Sequence, residues 1–304
     1  MPIQKCQGKL NLNAEGYESK VRGSPMFPCG AYYSDMTDPT MSEIPWHWHE
    51  EIEVLAVRAG VAQLYVNGER YSLREGEGAF INSNVLHSAW AADEMGCMLN
   101  SLVFDASLLS GAMESVFEQR YVRPLLHCHA LPVVPFYRDA EWTCEAAQCV
   151  RGAYKACNDE EYGYELVVRG RLTQMWHLLV TNMRPVMKQA SISENRDAVR
   201  IKMMMRHLHR HYAEKISLRQ IAAAANISER ECLRCFKKTI GMPPMQYLLK
   251  YRVSISARLL ADTALTVTEI CTQAGFENAS HFSKTFKYFM SCTPTVYRKR
   301  ARTT

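Results

Sequence analysis

Short apolar runs broken by turn signals fill the first third of the chain. From about Pro25 to Phe104, alternating stretches such as AQLYV and RYSL flank VNGE (Val66–Glu69), and REGEG (Arg74–Gly78) follows. An Asn-Gly pair between alternating runs is a strong hairpin signal. Several short strands at close spacing predict a sandwich or small barrel. After Ser107 the pattern weakens, and Arg123–Tyr137, with three prolines, reads as a loop. From Ala140 the period becomes helical. Glu141–Cys157 is one predicted helix and Tyr164–Met183 another, with Leu172, Met175, Trp176, Leu179 and Val180 on one stripe. Such a stripe is ordinarily core; lying between two domains, part of it is also a candidate dimer seam. The polar stretch Lys188–Asn195 reads as a linker.

Beyond the linker the pattern repeats. The segment beginning at Ile216 aligns with the one beginning at Leu265 at an offset of 49, then 50. Ser217 falls on Thr266, Gln220 on Glu269, Ile221 on Ile270, Phe236 on Phe286, Pro244 on Pro294 and Tyr247 on Tyr297. Each copy opens on a capping box, Ser217-x-x-Gln220 or Thr266-x-x-Glu269, which satisfies the first free N–H groups of a short helix. A turn follows, with Gly275 suited to a positive-φ stop in the second copy, and then another helix. Two helices joined by a tight turn predict a helix-turn-helix, whose second helix enters the DNA major groove.

The second helices separate their faces. Cys232, Cys235 and Phe236 are core-side in the first, and Phe282, Thr285 and Phe286 in the second. The opposite faces carry Arg230, Leu233, Arg234 and Lys237, then Ala279, Ser280, His281, Ser283 and Lys284. Arginine pairs bidentately with guanine, Ser and His bond base edges, and Leu or Ala touches a thymine methyl. Lys238 and Lys287 are placed for phosphates, which supply affinity rather than sequence reading. The residues between the copies, Pro244 to Ala261, predict one connector helix about 27 Å long, against about 34 Å between major grooves on one DNA face.

Charge supports this division. Residues 197–304 hold 19 Lys and Arg against 7 Asp and Glu, a net of +12, while residues 1–196 are at −7. A basic back half suits a polyanion. The overall composition, 47% apolar and 22% charged, is that of a soluble globular chain. No apolar run approaches a membrane span, and MPIQKCQGKLNLNAEG lacks the basic-then-apolar shape of a secretion signal. The expectation is a cytoplasmic protein with no membrane partner, whose 11 cysteines are reduced thiols. Cys232 and Cys235 form a CxxC without a second ligand pair, and read as small core residues.

One stretch of the front half is chemically unusual. In HWHEEIE, His47, His49, Glu51 and Glu53 share a strand face, with Trp48 and Ile52 on the other. Two imidazoles and two carboxylates there hold a metal, line a pocket for a small polar molecule, or are merely solvated.

AGFENASHFSKTFKYFMSCTPTVYR resembles the signature of the AraC/XylS transcription regulators, a Gly-Phe turn, a helix of the S-x-F-S-[RK]-x-F-K type and a following T-P-x-x-[YF]-R; the first copy fits too, and the likeness spans roughly the last 100 residues. It implies sequence-specific binding to promoter or operator DNA, most often activation with RNA polymerase as partner, and a homodimer. It places base reading at Arg230, Leu233 and Arg234, then at Ala279, Ser280, His281, Ser283 and Lys284; Leu233 departs from the polar residue common there.

Many members carry an N-terminal cupin barrel for an effector, and the front half resembles one. His47, His49, Glu53 and Gly60 fit the metal-cupin H-x-H-x₃-E-x₆-G, and Gly76 and His87 fit its second motif, where Asn82, Asn84 and Ala91 replace the usual Pro, Gly and Asn. The resemblance implies an α+β chain of two domains: a cupin-like β-barrel followed by helices, then an all-α domain with two helix-turn-helix motifs joined by a linker helix. The boundaries are 1–139 for effector sensing, 140–187 for a helical dimerisation or linker region, and 197–304 for DNA binding, with the motifs at 217–240 and 266–290. Three histidines and a carboxylate suit Zn, Ni, Fe or Mn. Three states of the barrel stay open: a metal site, a metal-free pocket for a polar effector such as a sugar, and a structural vestige. Trp46, Trp48, Glu51 and Trp90 are candidate rim residues. The leading reading is a ligand-responsive DNA-binding regulator, not an enzyme. The competing one, a metal-dependent cupin enzyme fused to a DNA-binding domain, needs an open metal position and an acid or base, for which Glu51 is the nearby candidate.

Overall fold

The computed structural model describes residues 4–6, 18, 22–37, 43–112, 114–189 and 196–303. The polar stretch Lys188–Asn195 otherwise lies outside them from residue 190. Among them the strands are β1 (Gln4–Cys6), β2 (Cys29–Asp35), β3 (Glu43–His47), β4 (Ile52–Val66), β5 (Glu69–Arg74), β6 (Gly78–Ile81), β7 (His87–Ala91), β8 (Cys97–Phe104) and β9 (Val133–Phe136). The hairpin forms where Asn-Gly predicts it. Asn67 (φ 51°) and Gly68 (φ 88°) both adopt the left-handed backbone that a tight two-residue turn needs, and Val66 pairs with Glu69.

Strand β4 serves two sheets. Its first half pairs with β6 and β8, its second half with β5 and β7, and β7 also pairs with β3. The register against β8 shifts between Val57 and Ala59, and the next residue, Gly60, has φ 75°. A Cβ at Gly60 would lie 2.4 Å from the Gly96 carbonyl oxygen, so a side chain does not fit. The bulge changes which residues point inward. Leu55 and Val57 precede it, Ala62, Leu64 and Val66 follow it, and all five share the interior with Leu73, Ala79, Ile81, Ala89 and Leu99.

The other face of the β4–β8 sheet carries Ile52, Val54, Ala56, Leu102 and Phe104. After two short turns, α1 (Ser107–Ser110) and α2 (Arg123–Leu126), two long helices cover it: α3 (Glu141–Asp159) and α4 (Tyr164–Asn182). Ala146, Ala147, Val150 and Ala153 make the buried face of α3 small, which lets it approach closely. The predicted α4 stripe is core: Leu172, Met175, Trp176 and Leu179 are buried, and Trp176 meets Phe80 edge-on at 5.7 Å. The region 140–187 is a layer of the first unit, continuing into α5 (Arg184–Gln189). The proline-rich stretch is also more ordered than a loop. Pro124 starts α2, and Pro135 sits in β9, which among the described residues pairs with β6 alone and so tolerates a missing N–H.

A second unit begins at Arg196. Its helices are α6 (Arg196–Arg210), α7 (Leu218–Ala224), α8 (Glu229–Thr239), α9 (Pro244–Asp262), α10 (Val267–Gln273), α11 (Ala279–Met290) and α12 (Pro294–Thr303). Helix α6 was not foreseen, although Ile201, Met204, Met205 and Leu208 bury one stripe at helical spacing and pack it on α7 and α8. Both capping boxes are closed: Ser217 Oγ accepts from Gln220 N–H and Gln220 Oε1 accepts from Ser217 N–H, with Thr266 and Glu269 repeating the exchange. Cys232, Cys235 and Phe236 are fully buried, as are Phe282 and Phe286 in the second copy. The connector α9 has 19 residues, about 28 Å.

Ser217→Ala and Thr266→Ala should each cost about 0.5–2 kcal/mol and add in the double variant, since no side chain joins the two caps. Urea unfolding of residues 196–304 within the full chain, followed by circular dichroism, reads this.

Candidate functional site

Four side chains converge in the first unit. His47 ends β3, His49 follows it in the loop, Glu53 lies near the start of β4 and His87 begins β7. One ligand atom from each lies within 4.8 Å of every other, and all four residues are buried. Glu53 faces inward because it shares the odd-numbered face of β4 with Leu55 and Val57 before the bulge.

The tautomers are set by the backbone. His47 Nδ1 is 2.8 Å from Pro45 O, His49 Nδ1 is 3.0 Å from Glu51 O, and His87 Nδ1 is 2.8 Å from Val85 O. A carbonyl only accepts, so each Nδ1 must carry a proton, and each Nε2 is left to face the centre. Glu53 Oε2 lies 3.0 Å from His87 Nε2 and 3.3 Å from His49 Nε2. With neutral rings these contacts would set lone pairs against a carboxylate. Protons on Nε2 or a cation relieve that, and burial limits how many imidazoliums fit side by side. Burial and then the neighbouring His87 and His49 push His47 well below the usual imidazole range, so it presents a lone pair. Burial alone would raise the Glu53 carboxyl, but the His49 and His87 hydrogen bonds outweigh it and hold it well below the carboxylate range. With any Nε2 proton displaced, three imidazole nitrogens and one carboxylate form a donor set that fits a divalent first-row ion.

The second-motif residues that depart from the cupin pattern have local duties. Asn84 has φ 57°, a backbone that Asn tolerates, and its N–H donates to His49 O. Buried Asn82 donates from Nδ2 to Leu125 O (3.0 Å) and Leu131 O (3.1 Å) and accepts from Ser83 N–H. These bonds fix the loop whose Val85 carbonyl orients His87.

The rim residues fall elsewhere. Trp46 and Trp90 lie on the opposite strand faces from His47 and His87. They flank Tyr65, which Trp90 stacks on at 3.7 Å and Trp46 meets at 6.4 Å. Trp48 is buried, 1% exposed. Glu51 sits behind His49, its Oε2 3.6 Å from Nδ1 and so on the side away from Nε2. That position does not suit an acid or base working at the centre.

In the second unit, Arg230, Leu233, Arg234, Lys237 and Lys238 are exposed on α8, as are Ala279, Ser280, His281, Lys284 and Lys287 on α11; Ser283 is half-buried. Sequence reasoning missed what holds Arg234. Its Nε donates to Glu231 Oε2 (2.9 Å), and its Nη2 to Glu231 Oε1 (2.7 Å) and Asp197 Oδ1 (2.9 Å). Asp197, on the first turn of α6, also binds Lys238 Nζ at 3.2 Å, and Arg200 reaches Glu231 at 3.3 Å. Asp197, Glu231 and Cys235 lie close enough to bind an ion, but these cations already neutralise them.

Comparison with known proteins matches residues 37–175 to the AraC-like ligand binding domain and 221–300 to a helix-turn-helix domain. An uncharacterized HTH-type transcriptional regulator of Bacillus subtilis, YdeC, is 32% identical over 90% of this chain and 92% of its own length. The HTH-type transcriptional activator RhaS of an Enterobacter species is 26% identical over 84% of this chain and 87% of its own. Among solved structures, ToxT of Vibrio cholerae is similar at a TM-score of 0.44 and 14% identity, covering 89% of this chain and 97% of that one.

Asn82→Ala should strand the loop carbonyls and cost about 1–3 kcal/mol, seen as an earlier thermal transition of the first unit with the α-helical second unit unchanged.

Proposed function

Because this chain belongs to the AraC family of helix-turn-helix transcription regulators with a ligand-binding domain, we propose that it is a cytoplasmic transcription activator that reads DNA with α8 and α11 and senses its effector in the β-barrel. The observation that carries the reading is the duplicated, capped two-helix unit with a polar and basic face on each second helix. The 19-residue α9 joins the copies, and its length suits two reading helices set in adjacent major-groove segments of one duplex face. RhaS, a named activator, supports the sign of regulation. RNA polymerase is then the partner at the promoter. Regulation rather than catalysis fits relatives named as regulators and the position of Glu51. No described helix is long and apolar enough to cross a membrane. The active form is a homodimer. With the α4 stripe buried in the core, exposed Leu166 and Val167 on the same helix are the surface left for the seam.

Within the barrel, His47, His49, Glu53 and His87 would hold a divalent transition ion (Zn, Ni, Fe or Mn). Bound there, it would supply the positive charge that the facing Nε2 and carboxylate groups need, and would tie β3, β4 and β7 together. The donor set and the three backbone-fixed tautomers support this over a metal-free sugar pocket or a vestige.

Two tests follow from these two sites. Arg230→Ala should cost about 1–3 kcal/mol on a duplex selected from a random pool by the wild-type chain, and little on unrelated DNA. Lys287→Ala should weaken binding to both and flatten the salt dependence by about one ion; equal losses on both duplexes for Arg230→Ala would refute base reading there. For the barrel, a fitting ion at a free concentration 100-fold over its Kd should add about 2.7 kcal/mol and raise the first-unit Tm by roughly 5–10 °C. His49→Ala should abolish the shift, and a metal-free wild type that no such ion stabilises would remove the metal.

A further inference from the structure

The hydrogen bonds on Arg234 decide what it offers to DNA. A guanidinium has five N–H donors and two forks, one side-on from Nε and Nη2, the other end-on from Nη1 and Nη2. Glu231 occupies the side-on fork through Nε and Nη2, and Asp197 takes a second bond from Nη2. Both forks need Nη2, so the two-bond grip on guanine is blocked until one carboxylate lets go. Lys238, the phosphate candidate one turn along α8, is held by the other oxygen of Asp197.

The two carboxylates are not equivalent. Glu231 lies on α8 itself, three residues before Arg234, and moves with the helix into any groove. From the side-on fork it orients the guanidinium and leaves the end-on fork pointing outward. Asp197 comes from another helix, 37 residues earlier, and closes that end-on fork. It is also the second residue after the stretch 190–195 that joins the two units in sequence.

We propose that Asp197 is a gate on sequence reading by the first helix-turn-helix: it holds Arg234 and Lys238 against α6, and full engagement of DNA requires their release. This rests on the DNA-reading function proposed above and adds its control point. Glu231 is the positioning residue and Asp197 the blocking one. Burial alone would raise the Asp197 carboxyl, but the bonds from Arg234 and Lys238 hold it below the ordinary range, so the gate carries its charge at neutral pH.

The test uses the full chain, a duplex selected from a random pool by the wild type, and an unrelated duplex, with affinities from fluorescence anisotropy across a salt series. Asp197→Asn should bind the selected duplex about tenfold tighter and steepen the salt dependence by about one ion as Lys238 reaches a phosphate. Asp197→Glu, which keeps the charge, should stay within about twofold of wild type. Adding Arg234→Ala to Asp197→Asn should remove the gain in selectivity and leave the steeper slope. Asp197→Ser replaces Asp197→Asn if circular dichroism shows that variant unfolded. A folded, charge-free variant that binds no tighter, or binds more weakly at an unchanged slope, overturns the gate and makes Asp197 a positioning residue. A wild-type chain that selects no sequence overturns the reading function itself, and the gate with it.

Discussion

The first unit depends on one strand serving two sheets. β4 is 15 residues long, and without its irregularity near Val57–Ala59 a single set of alternate residues would face inward along its length. Glu53, Leu55 and Val57 would then share the interior with odd-numbered residues beyond the bulge, and Ala62, Leu64 and Val66 would face out. The extra residue, seated by the positive φ of Gly60, lets an acidic residue enter the barrel at one end and an aliphatic core fill the other. The candidate centre and the hydrophobic interior are consequences of the same bulge.

In both units a carboxylate decides what the nearby nitrogens do. Glu53 sits among imidazoles whose protonated sides are tied to carbonyls, so its charge calls for something positive between them. Asp197 sits among a guanidinium and an ammonium, and its charge is met at once by groups that would otherwise face DNA. The first arrangement is buried, with a carboxylate facing the imidazole Nε2 atoms. The second is solvated and already neutral, so it favours none; it sets how far those cations are available to another anion.

What the sequence made legible was local. Asn67-Gly68, the two capping boxes and the aligned cores around Phe236 and Phe286 rest on spacings of a few residues or on an internal repeat, and each appears in place. His47, His49 and Glu53 are nameable because strand alternation and motif spacing both point at them, and His87 through motif spacing alone. The failures were of tertiary origin. The α4 stripe reads as core with part of it a candidate seam, and Phe80 against Trp176 is what shows it packed inward. Trp46 and Trp90 sit next to or near the histidines in sequence, and alternation alone puts them on the far face. The acceptors that fix the imidazoles are main-chain carbonyls, which no residue type reveals. Asp197 and Arg234 are separated by 37 residues, and α6 between the linker and the first motif was overlooked although its apolar spacing was present.

The weakness of the Asp197 contacts is what suits them to control. Arg234 and Lys238 are exposed to solvent while Glu231 and Asp197 are half-buried, and ion pairs that reach solvent contribute little because water and salt screen them. A buried clamp of the same groups would lock the reading face shut, since breaking a buried pair leaves an uncompensated charge. An exposed one is of the same order as the contacts it competes with on DNA, so a modest displacement of the α6 first turn tips the balance either way. A ligand event elsewhere in the chain then needs only a small differential free energy between the two states to change occupancy of a site. That places the demand on geometry, the position of one aspartate relative to one arginine, and not on the strength of either bond.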